Sequence, residues 1–453
     1  MLMMSKKRSF IIGALLLALP NILQNLITNL AGLVDNLMVG GLQEHAIAGV
    51  AITNQVVFIV TIVFFGVGST AGIFIPQYKG AGDEQKMTEI FKVSLILSMM
   101  IGIAFFLISF FVPDFILGFF ATDPQTLSEA RTYINYLQFT FLILPASLAI
   151  GGAFRFCGYV KLPMYLAMIT VALNTFLNFG LIHGNLGMPA LGVAGAALGT
   201  LIARIVELII FLILTVYVKS PVKIQLATFF KLERALFKIF MEKGYGLVLN
   251  EFFWAFGMQA VTVIYTMRIS ENIAAMSISR TFANLIFVGI GGMSVVFSLY
   301  LGDHLGQSEF ERARIDAKRL KTIAAFLGLS LGIVVFIISF FLIGFFDVAE
   351  EVRRMGMIIL GIQVGLSWLY YLNASYYFIL RSGGDTKGVF IIDSVFTWIV
   401  IIPIALLVGR FNLVLPLHFL IVQVAELVKL ALANWHYKKE KWLKNLTLEA
   451  NKS

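Results

Sequence analysis

The sequence predicts an all-α polytopic membrane protein of twelve transmembrane helices in two pseudo-symmetric six-helix lobes. Four observations lead there. Apolar residues fill 59% of 453 positions and charged residues only 13%, with a mean hydropathy of +0.91; that leaves too little polar surface to cover a soluble core of this size. Twelve apolar stretches are each long enough to cross the hydrocarbon, for which roughly 20 helical residues suffice. The basic residues alternate between connecting segments, and the chain repeats itself about its middle.

The stretches run at 10–36, 47–77, 91–112, 131–155, 163–184, 191–217, 245–269, 273–302, 320–346, 354–380, 388–409 and 413–435. The first follows Lys6, Lys7 and Arg8 with no small-residue cleavage site, so it reads as a transmembrane helix and not a removed signal peptide. Of the 34 Lys and Arg residues, 27 fall on one side of this alternation and 5 on the other, Lys429 being counted with the 27; Arg204 and Arg280 lie within helices. By the positive-inside rule both termini are cytoplasmic and the number of spans is even. The net charge of +9 is thereby accounted for by topology and calls for no nucleic acid. The single cysteine, Cys157, excludes an internal disulfide framework and a cysteine-based metal cluster.

The internal repeat appears as 46-AIAGVAIT-53 against 272-NIAAMSIS-279 at an offset of 226. Arg155, Gly158 and Lys161 recur at the same offset as Arg381, Gly384 and Lys387, while Gly68 and Gly82 match Gly292 and Gly306 at an offset of 224. Six spans per unit is an even number, so both halves keep one orientation, as in parallel repeats. The expected organisation is an N-terminal lobe over 1–218, a cytoplasmic linker over 219–243, a C-terminal lobe over 244–436 and a cytoplasmic tail over 437–453. Part of the linker, 229-FFKLERALFKIF-240, is amphipathic enough to lie on the membrane surface.

No enzyme signature is present: there is no phosphate-binding loop, the five histidines are scattered without metal spacing, and no nucleophile–base set is clustered. The chain reads as no enzyme and as needing no cofactor beyond a coupling ion. The informative groups are the ionisable and amide side chains inside spans, which are costly in hydrocarbon and mark ion or substrate pathways. Asp35 lies far along the first span, preceded by Asn25 and Asn29 at helical spacing. Asn174 and Asn178, four apart, share one face of the fifth span, and Thr200 begins the sixth. One carboxylate with amide and hydroxyl oxygens suits a hard cation or a proton; the amides read equally as interhelical hydrogen bonds. Glu251 and Arg280 are either each other's partner or a bias on a conformational step, and Arg204 with Glu207 reads as a local pair. Asp393 and Glu426 lack a partner in the sequence. The run Trp368, Tyr370, Tyr371, Asn373, Tyr376 and Tyr377 suits flat cations or ordinary packing.

At these residues the chain resembles the MATE family (multidrug and toxic compound extrusion). The carriers are Pro20 with 34-VDNLMVG-40, 66-GVGSTAGIFIPQYKGAGD-83, 151-GGAFRFCGYVKLPMY-165 with its counterpart 378-FILRSGGDTK-387, 174-NTFLNFGLIHG-184 and 192-GVAGAALGT-200. The resemblance implies two six-helix lobes around a central cavity and export of amphipathic organic cations, driven by Na+ or H+ through alternating access. It places Asp35, Asn174, Asn178 and Thr200 on the family's amino-terminal cation site, which would also be the metal site if the ion is Na+. Glu251 falls on the acidic position of the NorM-like branch, Tyr370 stands where a second acid is expected, and Arg280 suits the DinF-like branch. Asn29, Gln55, Trp254 and Tyr371 are the candidate cavity residues. The implied partners are small-molecule drugs or dyes and the lipid bilayer, and the implied location is the bacterial cytoplasmic membrane, as a monomer. The alternative within transport is a lipid-linked-precursor flippase, which would use Arg204 and Arg280 on a phosphate.

Overall fold

The computed structural model describes residues 2–217, 232–267, 270–346, 348–411 and 413–449. Lys219, Lys223, Lys231, Arg268, Lys452, the 219–231 part of the expected linker and the end of the tail lie outside the described residues. Among those described there is no strand. The helices are α1 (Leu2–Val39), α2 (Glu44–Gly80), α3 (Glu84–Phe111), α4 (Pro124–Leu137 and Thr140–Phe156), α5 (Lys161–His183) and α6 (Val193–Tyr217). They continue as α7 (Arg234–Thr266), α8 (Ser270–Gly306), α9 (Phe310–Leu342), α10 (Glu350–Gly365 and Ser367–Ser382), α11 (Thr386–Gly409) and α12 (Leu415–Lys438). Ten are long and apolar enough to cross a membrane unbroken, and α4 and α10 make twelve as pairs bent by 52° and 51°. Every expected stretch falls on one of them.

The caps follow the sequence. Asp83 accepts from Lys86 N at 2.9 Å to start α3, Asp123 from Thr126 N at 2.8 Å ahead of Pro124 to start α4, and Asp385 from Gly388 N at 3.1 Å to start α11. Near the α4 bend, Pro145 has no N–H for the Phe141 carbonyl four residues back, and Gly102 of α3 lets that carbonyl and the proline ring come close. The α10 bend falls at Gly365–Ser367, a glycine–serine break without a proline. In α11, the turns Ile391–Val395 and Thr397–Ile401 are π-helical, just ahead of Pro403.

The chain divides into two compact units: Leu23–Ile75 with Asp83–Gly244, and Met1–Ile22 with Pro76–Gly82 and Tyr245–Ser453. In the first, α5 packs on α6, α6 on both segments of α4, and α3 on the second segment of α4. Its core includes Val39, Val50, Tyr133, Ile182 and Ala197. The segment expected to lie on the membrane surface is corrected here: from Arg234 it is the start of α7, with Leu236 and Phe240 buried and Phe240 stacked on Phe74. Those rings gain more from burial between helices than from an interface.

In the second unit α8 packs on α9 and α10, and α10 on α12. The repeat becomes geometric where α2 ends beside α8. A Cβ on Gly80 would strike the backbone of Asp303, and one on Gly306 would strike the backbone of Gln77. These are the same contact seen from both copies at an offset of 226. At that offset Gly82 (φ +74°) corresponds to Ser308 (φ +60°), so the 224 register read from Gly82 and Gly306 is corrected: the turn geometry aligns Gly80 with Gly306. Gly158 and Gly384 likewise both take left-handed φ, at +95° and +73°. Residues of the expected tail pack back onto this unit. Trp442 and Leu446 are buried, Leu446 N donates to Gln77 Oε1 at 2.8 Å, and Gln77 Nε2 donates to the Ser382 carbonyl at 2.8 Å.

Candidate functional site

Asp35 stands four residues before the end of α1, within the first unit. Its Oδ1 accepts from Asn178 Nδ2 at 2.9 Å. Because Asn174 lies one turn earlier on α5, its amide reaches the same group. With its nitrogen toward Asp35, Asn174 donates to Oδ2 at 3.1 Å and Oδ1 at 3.2 Å while its oxygen accepts from Thr200 Oγ1 and N at 3.2 Å. Three helices, α1, α5 and α6, thus bring together all four residues that the sequence singled out. Asn178 is buried, and among the described residues its Oδ1 accepts no hydrogen bond; an orphaned carbonyl oxygen beside a carboxylate is the arrangement that a bound cation or a protonated acid would satisfy. Gly199 makes the approach possible, since a Cβ there would overlap Asn178 Oδ1. The nearby cation is already engaged: Arg204 Nη1 binds Glu207 Oε2 at 2.8 Å, as the i,i+3 spacing suggested.

The other candidates separate. Asn29 is exposed, Gln55 half-buried and Trp254 exposed. Tyr371 is corrected as a cavity residue: it is 1% exposed, packs where Gly289 and Gly328 leave room, and donates to the Ile286 carbonyl at 2.5 Å. Helix packing has claimed its ring and hydroxyl alike. The grouping of Glu251, Arg280 and Tyr370 is also corrected. Tyr377 donates to Glu251 Oε1 at 2.5 Å, Tyr370 donates to Gln423 Oε1 at 2.9 Å, and Arg280 is exposed.

The second unit holds a polar network that the sequence reading missed. Lys429 of α12 binds Asp393 Oδ1 at 2.7 Å, and Asn250 of α7 donates to Asp393 Oδ2 at 3.3 Å. Asn373 of α10 donates to Glu426 Oε2 at 2.7 Å. Lys429 therefore leaves the count of cytoplasmic charges, because it lies inside α12 and is 8% exposed. The available signal was a lysine six residues short of the end of the apolar run 413–435; a carboxylate 36 residues away gives no local hint of pairing with it.

A family model, MatE, matches residues 20–179 and again residues 248–407, one copy per half. A relative described as a probable multidrug resistance protein NorM, from Halalkalibacterium halodurans, is 24% identical over 413 residues, covering 89% of this chain and 89% of its own. The uncharacterized transporter YisQ of Bacillus subtilis is 21% identical over 378 residues, covering 83% of each. Among solved structures, a multidrug resistance MATE family transporter of the MOP superfamily in an outward-facing conformation matches with a TM-score of 0.85 at 18% identity, over 94% of this chain and 95% of that one. A MOP superfamily transporter from Pyrococcus furiosus matches with a TM-score of 0.82 at 19% identity, over 93% and 95%.

Proposed function

The chain belongs to the MatE family of multi-pass membrane transporters, and from that premise we propose that it is a secondary active multidrug exporter. It expels amphipathic organic cations in exchange for Na+ or H+ by alternating access, with Asp35 as the group that answers the ion. The carrying observation is the orphaned Asn178 Oδ1 beside the Asp35–Asn178 bond of 2.9 Å. With Asn174 and Thr200, this cluster offers one negative charge, amide and hydroxyl oxygens and, among the described residues, no basic side chain bonded to the carboxylate. If Na+ is the ion, Asp35, Asn174, Asn178 and Thr200 supply its oxygens; if H+, Asp35 carries it.

Neutralising Asp35 removes the charge that its amide donors hold, so the hold of α1 on α5 weakens in one of two facing states. A difference in ion and drug affinity between those states is all that coupling requires. The protein works in the bacterial cytoplasmic membrane with both termini cytoplasmic, as a monomer whose N-terminal and C-terminal lobes alternate. The lipid-phosphate alternative loses Arg204, which Glu207 neutralises.

The test is efflux of a fluorescent cationic dye from liposomes under a Na+ gradient and a pH gradient imposed separately. Movement driven by one gradient and lost in Asp35→Asn names the ion and supports the reading. Undiminished gradient-driven efflux in folded Asp35→Asn would sink it.

A further inference from the structure

The two halves of the chain each place a carboxylate on the same set of helices. α1, α5 and α6 carry Asp35, Asn174, Asn178 and Thr200; α7, α11 and α12, their counterparts in the repeat, carry Asn250, Asp393, Ser394 and Lys429. The roles are permuted: the amide sits on the first helix of the second triplet and the carboxylate on the middle one. At the offset of 226, Asp393 corresponds to Ala167, eleven residues before Asn178, so this cluster lies about 16 Å farther along its triplet at 1.5 Å per residue.

The Asp393 carboxylate is held from α7 and from α12. Asn250 is wholly buried, and its Oδ1 and backbone carbonyl both accept from Ser394 Oγ at 2.8 Å, which fixes the amide so that Nδ2 faces Asp393. Thr397 Oγ1 donates to the Asp393 carbonyl at 2.7 Å, and the π-helical turn of α11 sets both residues. The remaining charged and titratable neighbours have other engagements: Glu426, one turn before Lys429, holds Asn373, and Glu251, adjacent to Asn250, holds Tyr377. At Asp393 the cation that completes the set is the Lys429 ammonium at 2.7 Å, its side chain 11% exposed and that of Asp393 15%.

We propose that Lys429 is a tethered cation filling a monovalent-cation position at the Asp393 carboxylate, whose other oxygen accepts from Asn250 Nδ2, and that it closes Asp393 to the ion that exchanges at Asp35. An ammonium on a four-carbon stem is a compact charge with three donors, close in demand to a small monovalent ion, and being covalently held it never leaves. One half of the transporter then exchanges its cation while the other keeps its own. The proposal deepens the reading of Asp35 given above and rests on it only for which ion exchanges.

The test measures thermal unfolding of the purified full chain in NaCl, ethylammonium chloride and N-methylglucamine chloride at equal ionic strength. All variants carry Asp35→Asn, so the response assigned to Asp35 is absent from each. A Na+ response in Asp35→Asn alone counts against the Asp35 reading, and the Lys429 effect is taken as the difference from that parent. Added Lys429→Ala should make the Tm depend on the small cations, rising by a few degrees in Na+ or ethylammonium and not in N-methylglucamine. Adding Asp393→Asn as well should abolish that dependence. Equal Tm in all three salts for the Lys429→Ala variant overturns the proposal. If that variant does not fold in any of them, Lys429→Gln replaces it, and a Lys429→Gln variant indifferent to the small cations overturns the proposal equally.

Discussion

Gly199→Ala is the sharpest perturbation of the Asp35 cluster that leaves its polar atoms unchanged. Gly199 sits one residue before Thr200 on α6, where a Cβ would overlap Asn178 Oδ1 and come within 3.3 Å of Leu177 Cβ. The new methyl must push the Asn178 amide away, and with it the 2.9 Å bond to Asp35. A hydrogen bond to a charged group is worth about 1.5–3 kcal/mol, and each 1.4 kcal/mol is about tenfold in affinity. Because that bond stabilises the charged, ion-free carboxylate, its loss should lower the ion concentration for half-maximal dye efflux roughly 10- to 100-fold. Stability should move much less, because alanine in a helix interior regains about 1 kcal/mol over glycine and offsets part of the strain. The assay is proteoliposome efflux titrated against the driving ion, with Tm measured on the same preparation. An unchanged half-maximal ion concentration in a folded Gly199→Ala protein would refute the assignment of Asn178 to the coupling site.

Other outcomes follow from the second unit. Gly80→Ala and Gly306→Ala should destabilise by similar amounts, about 1–3 kcal/mol each by overpacking, because each drives a methyl into the partner helix's backbone; Tm values for the pair check this, and a neutral Gly306→Ala would deny the shared contact. Tyr377→Phe strands a Glu251 oxygen and should cost about 1–3 kcal/mol, measurable by thermal unfolding. Gly383→Ala would put a methyl onto the Trp442 carbonyl and should raise hydrogen exchange over 440–449. The pH dependence of that segment has a definite sign. Hydrogen bonds from Arg314, at 2.8 and 2.6 Å, hold the Glu440 carboxyl below the ordinary glutamate range. Its contribution is present above that range and is lost as pH falls through the lowered value. Glu440→Gln should accordingly exchange faster than the parent over 440–449 at pH 7, with the difference vanishing in acid.

The spans were legible because their signal is length and hydropathy, which local sequence carries in full. The four residues of the Asp35 cluster were legible for a related reason: α5 carries two amides at i,i+4, a spacing that the helix itself converts into one face. What local sequence does not carry is partnership across the fold. Glu251 meets Tyr377, 126 positions away, and not the charge-complementary Arg280. Lys429 meets Asp393 from another helix, so counting it by nearness to the chain's basic end misread it as topology. Tyr371 shows the converse limit, since an aromatic residue reads alike as packing or as binding surface until Gly289 and Gly328 are seen to leave the room that it fills. The bends of α4 and α10 went unread in the same way: Gly365 and Ser367 acquire meaning only once the helix is seen to break there.

The position of Asp35 also explains why one neutralised carboxylate can matter to the whole chain. α1 is divided between the two units, its residues to Ile22 in one and those from Leu23 in the other. Pro20 stands two residues before that division and removes one backbone hydrogen bond, which makes this the stretch of α1 with the least resistance to bending. Ahead of it, Ala18 and Ile22 lie where Gly292 of α8 has no side chain; beyond it, Asp35 is held by Asn178 of α5. On the proposed reading, a cation or proton at Asp35 changes the hold on the far segment of α1 while leaving the near segment packed. The free energy of ion binding is, on that reading, delivered to α1, which, like α2 and α7, has residues in both units. On the proposed reading, that is the minimal mechanical requirement for an ion bound in one half to favour a state of both.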